Sequence, residues 1–139
     1  MYIGEYYHSF DEKGRVSFPA KLREELGEQF VITKGLDGCL SAYSMDEWER
    51  ISAIVAGLPQ AKARDLKRFM FSAATVVNPD KQGRVLVSPT LRSFAHFNKD
   101  IAVIGASDHV ELWDKETWLE RNEAFDSDEI AKAMDELGF

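Results

Sequence analysis

Cysteine is nearly missing from this chain: Cys39 stands alone, so an internal disulfide is impossible, a thiolate metal site would lack its other ligands, and a small buried apolar role is expected for it. Histidine is scarce as well. His8, His96 and His109 lack metal-ligand spacing, and there is neither a phosphate-cradling glycine loop nor a nucleophile–base set, so no enzyme, cofactor or metal site is expected. No apolar run is long enough to span a bilayer, and Met1–Glu5 lacks the basic and apolar regions of a signal peptide. The expectation is a soluble, cytoplasmic protein. Positive charge is also in deficit, 17 Lys and Arg against 24 Asp and Glu for a net of −7, which at first argues against a nucleic-acid partner. The deficit is local, however. From Glu111 to Phe139 ten acidic residues face Lys115, Arg121 and Lys132, whereas residues 1–110 balance at 14 of each sign.

What the chain does have is one turn written twice, as Asp11-Glu12-Lys13-Gly14-Arg15-Val16-Ser17-Phe18-Pro19 and as Asp80-Lys81-Gln82-Gly83-Arg84-Val85-Leu86-Val87-Ser88-Pro89. Each copy has a polar turn, a Gly-Arg pair, a β-prone stretch, a proline and a helical Leu-Arg. Glycine accepts the positive φ of a tight turn, and the arginine after it re-enters a strand with its side chain near the tip. Gly14 and Gly83 are 69 apart, while Gly35 and Gly105, Tyr43 and Trp113, and Trp48 and Trp118 are all 70 apart. Internal repetition on this scale means two halves built alike and sharing one core.

In order, the patterns predict a strand over 2–10, a return strand over 16–18, a helix from Pro19 to Leu26 closed by Gly27, and strands near 30–33 and 39–43 joined by a glycine-rich turn. Ser44 with Glu47 has the form of a capping box, and Trp48, Ile51, Val55 and Leu58 follow at helical spacing. Leu66, Phe69, Met70 and Ala73 form an apolar stripe on a connector helix, opposite Arg64 and Arg68. The second half repeats the order: a strand over 74–78, the turn, a return over 84–87, a helix from Pro89, strands near 101–104 and 110–113, and a helix capped by Asp114. Ile130, Ala133, Met134 and Leu137 mark a terminal amphipathic helix that needs a surface to cover, its own barrel or a neighbouring subunit. The organisation expected is a first repeat over 1–59, a connector over 60–73, a second repeat over 74–126 and the terminal helix over 127–139. Trp48 and Trp118, both placed just after caps, are expected in the core.

The Asp-x-Lys-Gly-Arg motif with its following Pro-Ala-x-x-Arg resembles the swapped-hairpin DNA-binding domain of the AbrB class. The tandem copies, together with Gly4-Glu5-Tyr6, Lys34-Gly35-Leu36-Asp37-Gly38-Cys39-Leu40, Glu47-Trp48-Glu49-Arg50 and Phe71-Ser72-Ala73-Ala74, resemble the MraZ family over nearly the whole chain. That resemblance implies an α+β fold, mainly β with short helices, in which two AbrB-like repeats interleave into one swapped-hairpin β-barrel. It also implies a cytoplasmic, nucleoid-associated transcriptional repressor. The partners implied are double-stranded DNA, at short direct repeats in the promoter of the division and cell-wall gene cluster, and other copies of the chain, in a ring of eight or twelve. The DNA contacts implied are Lys13, Arg15, Lys21 and Arg23 from the first copy and Lys81, Arg84 and Arg92 from the second. Two departures mark the second copy. Ser88 stands where the family usually keeps a proline, so the following helix is expected to begin one residue late, and Ser93-Phe94 replaces a Glu-rich continuation.

Chemically, arginine suits a base edge because its planar fork pairs with both acceptors of guanine, while lysine serves phosphate as a point charge. Arg15 is therefore expected in the groove, with Lys13, Lys21 and Arg23 on the backbone. The first turn is expected to grip DNA and the second to complete the barrel and assist. Arg64, Lys67 and Arg68 form a rival basic patch, read also as a solvated helix face. Asp11 and Asp80 are read as turn formers. The competing function is a ring-forming protein-interaction or antitoxin-like module whose acidic terminal helix docks a protein.

Overall fold

The computed structural model describes residues 1–139. The first half contains β1 (Glu5–Ser9), β2 (Arg15–Ser17), α1 (Ala20–Leu26), β3 (Phe30–Lys34), β4 (Leu40–Ser44), α2 (Met45–Ala56) and α3 (Gln60–Met70). The second contains β5 (Thr75–Val77), β6 (Arg84–Leu86), α4 (Pro89–Phe94), β7 (Asp100–Gly105), β8 (Val110–Asp114), α5 (Lys115–Glu123) and α6 (Ser127–Leu137). The result is a mixed α+β fold of short strands and short helices. Local chemistry explains most boundaries. Ser44 Oγ accepts the Glu47 N–H at 3.2 Å and starts α2, and Asp114 Oδ2 accepts the Thr117 N–H at 3.4 Å and starts α5.

Strand pairing crosses between the halves. The six-stranded sheet runs β1-β7-β8-β4-β3-β5, entirely antiparallel, so each half lends its first strand to the other: β1 lies on β7 and β5 on β3. The like strands β4 and β8 meet in the middle, and β2 pairs with β6 in a separate ribbon. This is the pattern of an internal two-fold. The central strands alternate between two buried faces. Phe30, Ile32, Ile101 and Val103 enter a core of 18 buried residues with Phe18, Leu26, Leu91 and Leu112, drawn from both halves, while Ala102 and Ile104 join Cys39, Trp113 and Trp118 on the other face.

Several expectations need correction. No closed barrel forms: β1 and β5 are unpaired sheet edges, and the β2–β6 ribbon stands apart. The turns cause this. Phe10 makes the last bond towards β7, donating to the Lys99 carbonyl at 2.9 Å, and Pro79 has no N–H to give, after which each turn folds on itself and sends the chain off the sheet. The expected 2–10 strand is shorter, because Gly4 at φ +104° separates β1 from an isolated bridge between Tyr2 and Ser107. The helix α4 does not start late. Pro89 lies six residues after Gly83 as Ala20 lies six after Gly14, because Ser88 Oγ caps the helix through the Leu91 N–H and proline fits its first position. Trp118 is buried, but Trp48 is only half-buried, its ring tilted against Phe71 with centroids 4.8 Å apart. Finally, α6 is exposed along its whole length, and nothing in the chain covers Ile130 or Met134, 49% and 40% exposed. No helix is long and apolar enough to cross a membrane.

Candidate nucleic-acid interface

Each repeated turn is an aspartate wrapped by its own backbone. Asp11 Oδ1 accepts the N–H groups of Lys13 and Arg15, both at 2.9 Å, its N–H reaches the Arg15 carbonyl at 2.9 Å, and its carbonyl accepts the Gly14 N–H at 3.0 Å. Asp80 repeats the arrangement with Gln82, Arg84 and Gly83. Gly14 and Gly83 close the turns at φ +79° and +76°, a region that costs residues with a Cβ about 1–2 kcal/mol. The carboxylate has a second task. Asp11 Oδ2 holds Arg15 Nε at 2.8 Å, and Asp80 Oδ2 holds Arg84 Nε at 2.8 Å. The bound N–H of Arg15, followed by its guanidinium and the Lys13 N–H, lowers the Asp11 carboxyl below the usual carboxylate range, and Arg84 and Gln82 do the same for Asp80.

The β2–β6 ribbon brings the two turns together. Phe18 donates to the Gly83 carbonyl at 2.9 Å and Val87 to the Gly14 carbonyl at 3.3 Å, and Arg84 Nη1 lies 3.9 Å from Asp11 Oδ2, within ion-pair reach across the turns. Arg15 and Arg84 thus sit on one ridge, each tied at Nε and each with Nη groups that form no hydrogen bond. Lys13, Lys21 and Lys81 are exposed and form no ion pair. Arg23 and Arg92 are half-buried, their Nε atoms donating to the carbonyls of Phe18 at 2.9 Å and Val87 at 3.1 Å. All seven nominated residues therefore lie on the turns or on the helices packed against them.

The flanks of the two turns differ. A groove of about 660 Å³ runs between α1 and the second turn, and Glu24 and Glu28 share it with Arg23, Asp80 and Lys81. At the 69-residue offset, Ser93 and Phe97 occupy the places of Glu24 and Glu28, so α4 carries no carboxylate at those places, although the first turn has its own Glu12 where the second has Lys81. Sequence reasoning missed this asymmetry because it depends on which helix faces which turn. It also took Asp11 and Asp80 for turn formers alone, although the repeated Asp-to-Arg spacing of four residues was a usable signal of the second bond. On α3, Arg64, Lys67 and Arg68 are exposed, and Arg68 pairs with Asp65 at 3.2 Å, which suits a solvated face. Cys39 is fully buried with its thiol pushed up to about 12 by burial, consistent with an inert apolar role.

A family model described as "MraZ protein, putative antitoxin-like" matches the chain twice, over residues 1–69 and 70–137. Proteins named transcriptional regulator MraZ are similar over their full length. The one from Clostridium botulinum (strain Eklund 17B) is 50% identical over 141 aligned positions, with 99% of both chains covered. Those from Clostridium acetobutylicum and a Thermoanaerobacter species are 49% and 48% identical, again over 99% of both chains.

Proposed function

The chain belongs to the MraZ family, and from that premise we propose that it is a DNA-binding transcriptional regulator whose paired turns read promoter DNA. The observation that carries this reading is the pair of tethered arginines. A guanidinium held at Nε by a carboxylate keeps its outer edge oriented at little further entropic cost, and that edge matches the O6 and N7 acceptors of guanine. Lys13, Lys21 and Lys81 supply phosphate contacts around it, with Arg15 as the principal base reader. The crossed strand pairing, in which each half lends its first strand to the other, supports the kinship with swapped-hairpin domains.

The finer reading is a repressor acting on short direct repeats in the promoter of the division and cell-wall cluster, in a ring of eight or twelve copies on the nucleoid. A single protomer offers few phosphate contacts, each a modest and salt-sensitive increment, and an assembly facing repeated sites multiplies them through effective concentration. The uncovered apolar face of α6 supports self-assembly. It also favours the second reading, a protein-interaction or antitoxin-like module. Fluorescence anisotropy on the promoter fragment upstream of the chain's own gene, with unrelated DNA as control, separates the two. The wild type is expected to bind with steep salt dependence. Arg15→Ala is expected to lose about 5- to 150-fold, the worth of one bidentate base contact, with the assembled mass unchanged by light scattering. Absence of salt-dependent binding overturns the regulator reading, and retained affinity removes Arg15 from its role.

A further inference from the structure

The two arginines that follow the ribbon, Arg23 and Arg92, are placed differently from the other five nominated residues. Each ties its Nε to the carbonyl of the residue just past a ribbon strand, Phe18 or Val87, and that same residue gives its N–H to the carbonyl of a turn glycine of the opposite half, Gly83 or Gly14. The guanidinium then lies flat against that glycine. A Cβ built on Gly83 would stand 2.5 Å from Arg23 Cζ and Nε, and one built on Gly14 would stand 3.0 Å from Arg92 Cζ and Nη1. The arrangement occurs twice, related by the internal two-fold, with α1 of the first half against the second turn and α4 of the second half against the first.

We infer that Arg23 and Arg92 are crossed positioning residues: Arg92 holds the turn that presents Arg15, and Arg23 holds the turn that presents Arg84. The inference rests on the turns being the DNA grip and assigns these two arginines to building it instead of touching phosphate. The chemistry is specific to arginine. A flat guanidinium can lie on a glycine while its Nε bonds sideways to a carbonyl, whereas lysine has neither the plane nor a donor at that position. Each half therefore sets the geometry of the other's turn, and the pair cannot work as separate domains.

The test uses Arg92→Lys and Arg23→Lys in the full chain, which keep the charge and remove the plate. Arg92→Lys is expected to weaken promoter binding about tenfold with an unchanged salt slope. Its cost should vanish in an Arg15→Ala background and persist in an Arg84→Ala background, and Arg23→Lys should give the mirror pattern. Additive costs in both backgrounds overturn the inference, as does a fall of about 0.9 in the slope for Arg92→Gln, the mark of a lost phosphate contact. A second arm needs no DNA. In hydrogen-exchange mass spectrometry Arg92→Lys should raise exchange in the segment 11–18 and spare 80–87, with the reverse for Arg23→Lys. Equal change in both segments, or none, overturns the crossed assignment even if the wild type binds no DNA, an outcome that would instead refute the regulator reading.

Discussion

Replacing glycine by alanine at three turn positions separates backbone strain from the arginine contacts. Gly38, Gly14 and Gly83 all sit at positive φ, +84°, +79° and +76°, so alanine meets similar backbone strain at each. That strain is about 1–2 kcal/mol, partly offset by the smaller entropy of the unfolded chain, and leaves about 1 kcal/mol of net destabilisation. At Gly38 nothing lies within 4 Å of the new Cβ, so about 1 kcal/mol is the whole expected cost. At Gly14 the new methyl meets Arg92 at 3.0 Å, and the guanidinium can yield by a few tenths of an ångström. At Gly83 the new methyl would be 2.5 Å from Arg23 Cζ and Nε, so the side chain must leave its seat and lose its bond to the Phe18 carbonyl. A charged donor's bond is worth about 1.5–3 kcal/mol, discounted here because Arg23 is half exposed, so Gly83→Ala should cost about 2–3 kcal/mol in all. For a chain of this size that is a fall of about 8–12 °C in Tm. Urea denaturation at one fixed protein concentration measures the series, and the order expected is Gly38 below Gly14 below Gly83. In an Arg23→Ala background the Gly83 cost should drop towards the Gly38 value. If Gly83→Ala costs the same as Gly38→Ala, Arg23 does not occupy the seat and the crossed contact fails with it.

Three further predictions follow from other parts of the molecule. His109 is clasped between Glu111 Oε2 at 3.0 Å and Asp108 Oδ1 at 2.6 Å and stacked on Tyr43; the Glu111 bond, then the Asp108 bond, raises its pKa above 6.5, and both carboxyls are lowered. A raised histidine pKa stabilises the fold fully below about pH 6.5 and loses that contribution as pH rises through the folded value, so the stability gap between wild type and His109→Gln should be wider near pH 6 than near pH 8.5. Equal gaps in urea midpoint would refute the clasp. The double change Glu24→Gln/Glu28→Gln removes the carboxylates beside the second turn and should tighten promoter binding by several-fold at low salt, and Lys81→Ala should then cost more than it does in the wild type. Unchanged affinity would show that these carboxylates do not screen the turn. A chain ending at Phe125 loses only exposed residues, so the protomer's core should melt normally at high dilution, while light scattering should show a lower assembled mass if α6 joins the copies. An unchanged mass would remove α6 from assembly.

The twin turns, the capped helices and their order were legible in the amino-acid sequence alone, because each is decided within a few residues. An aspartate bonds N–H groups two and four positions on, a glycine takes the left-handed φ, and a serine or aspartate accepts the first free N–H groups of a helix. The sequence left open which way the central-strand residues face, because β3, β4, β7 and β8 are buried on both sides and show little polar alternation. It could not say which strand lies beside which. A period-2 pattern is satisfied by any antiparallel partner with a matching buried face, so the crossed pairing of β1 with β7 and β5 with β3, and the opening of the expected barrel, were decided by the tertiary structure. The same limit applies to the site. The seven basic residues were named through the family resemblance, but that Arg92 braces the turn of Arg15 and that Glu24 and Glu28 flank the second turn follow only once α1 and α4 have packed across the two-fold. Contacts between residues some seventy positions apart depend on how two halves fold together, and no local stretch of the chain encodes that.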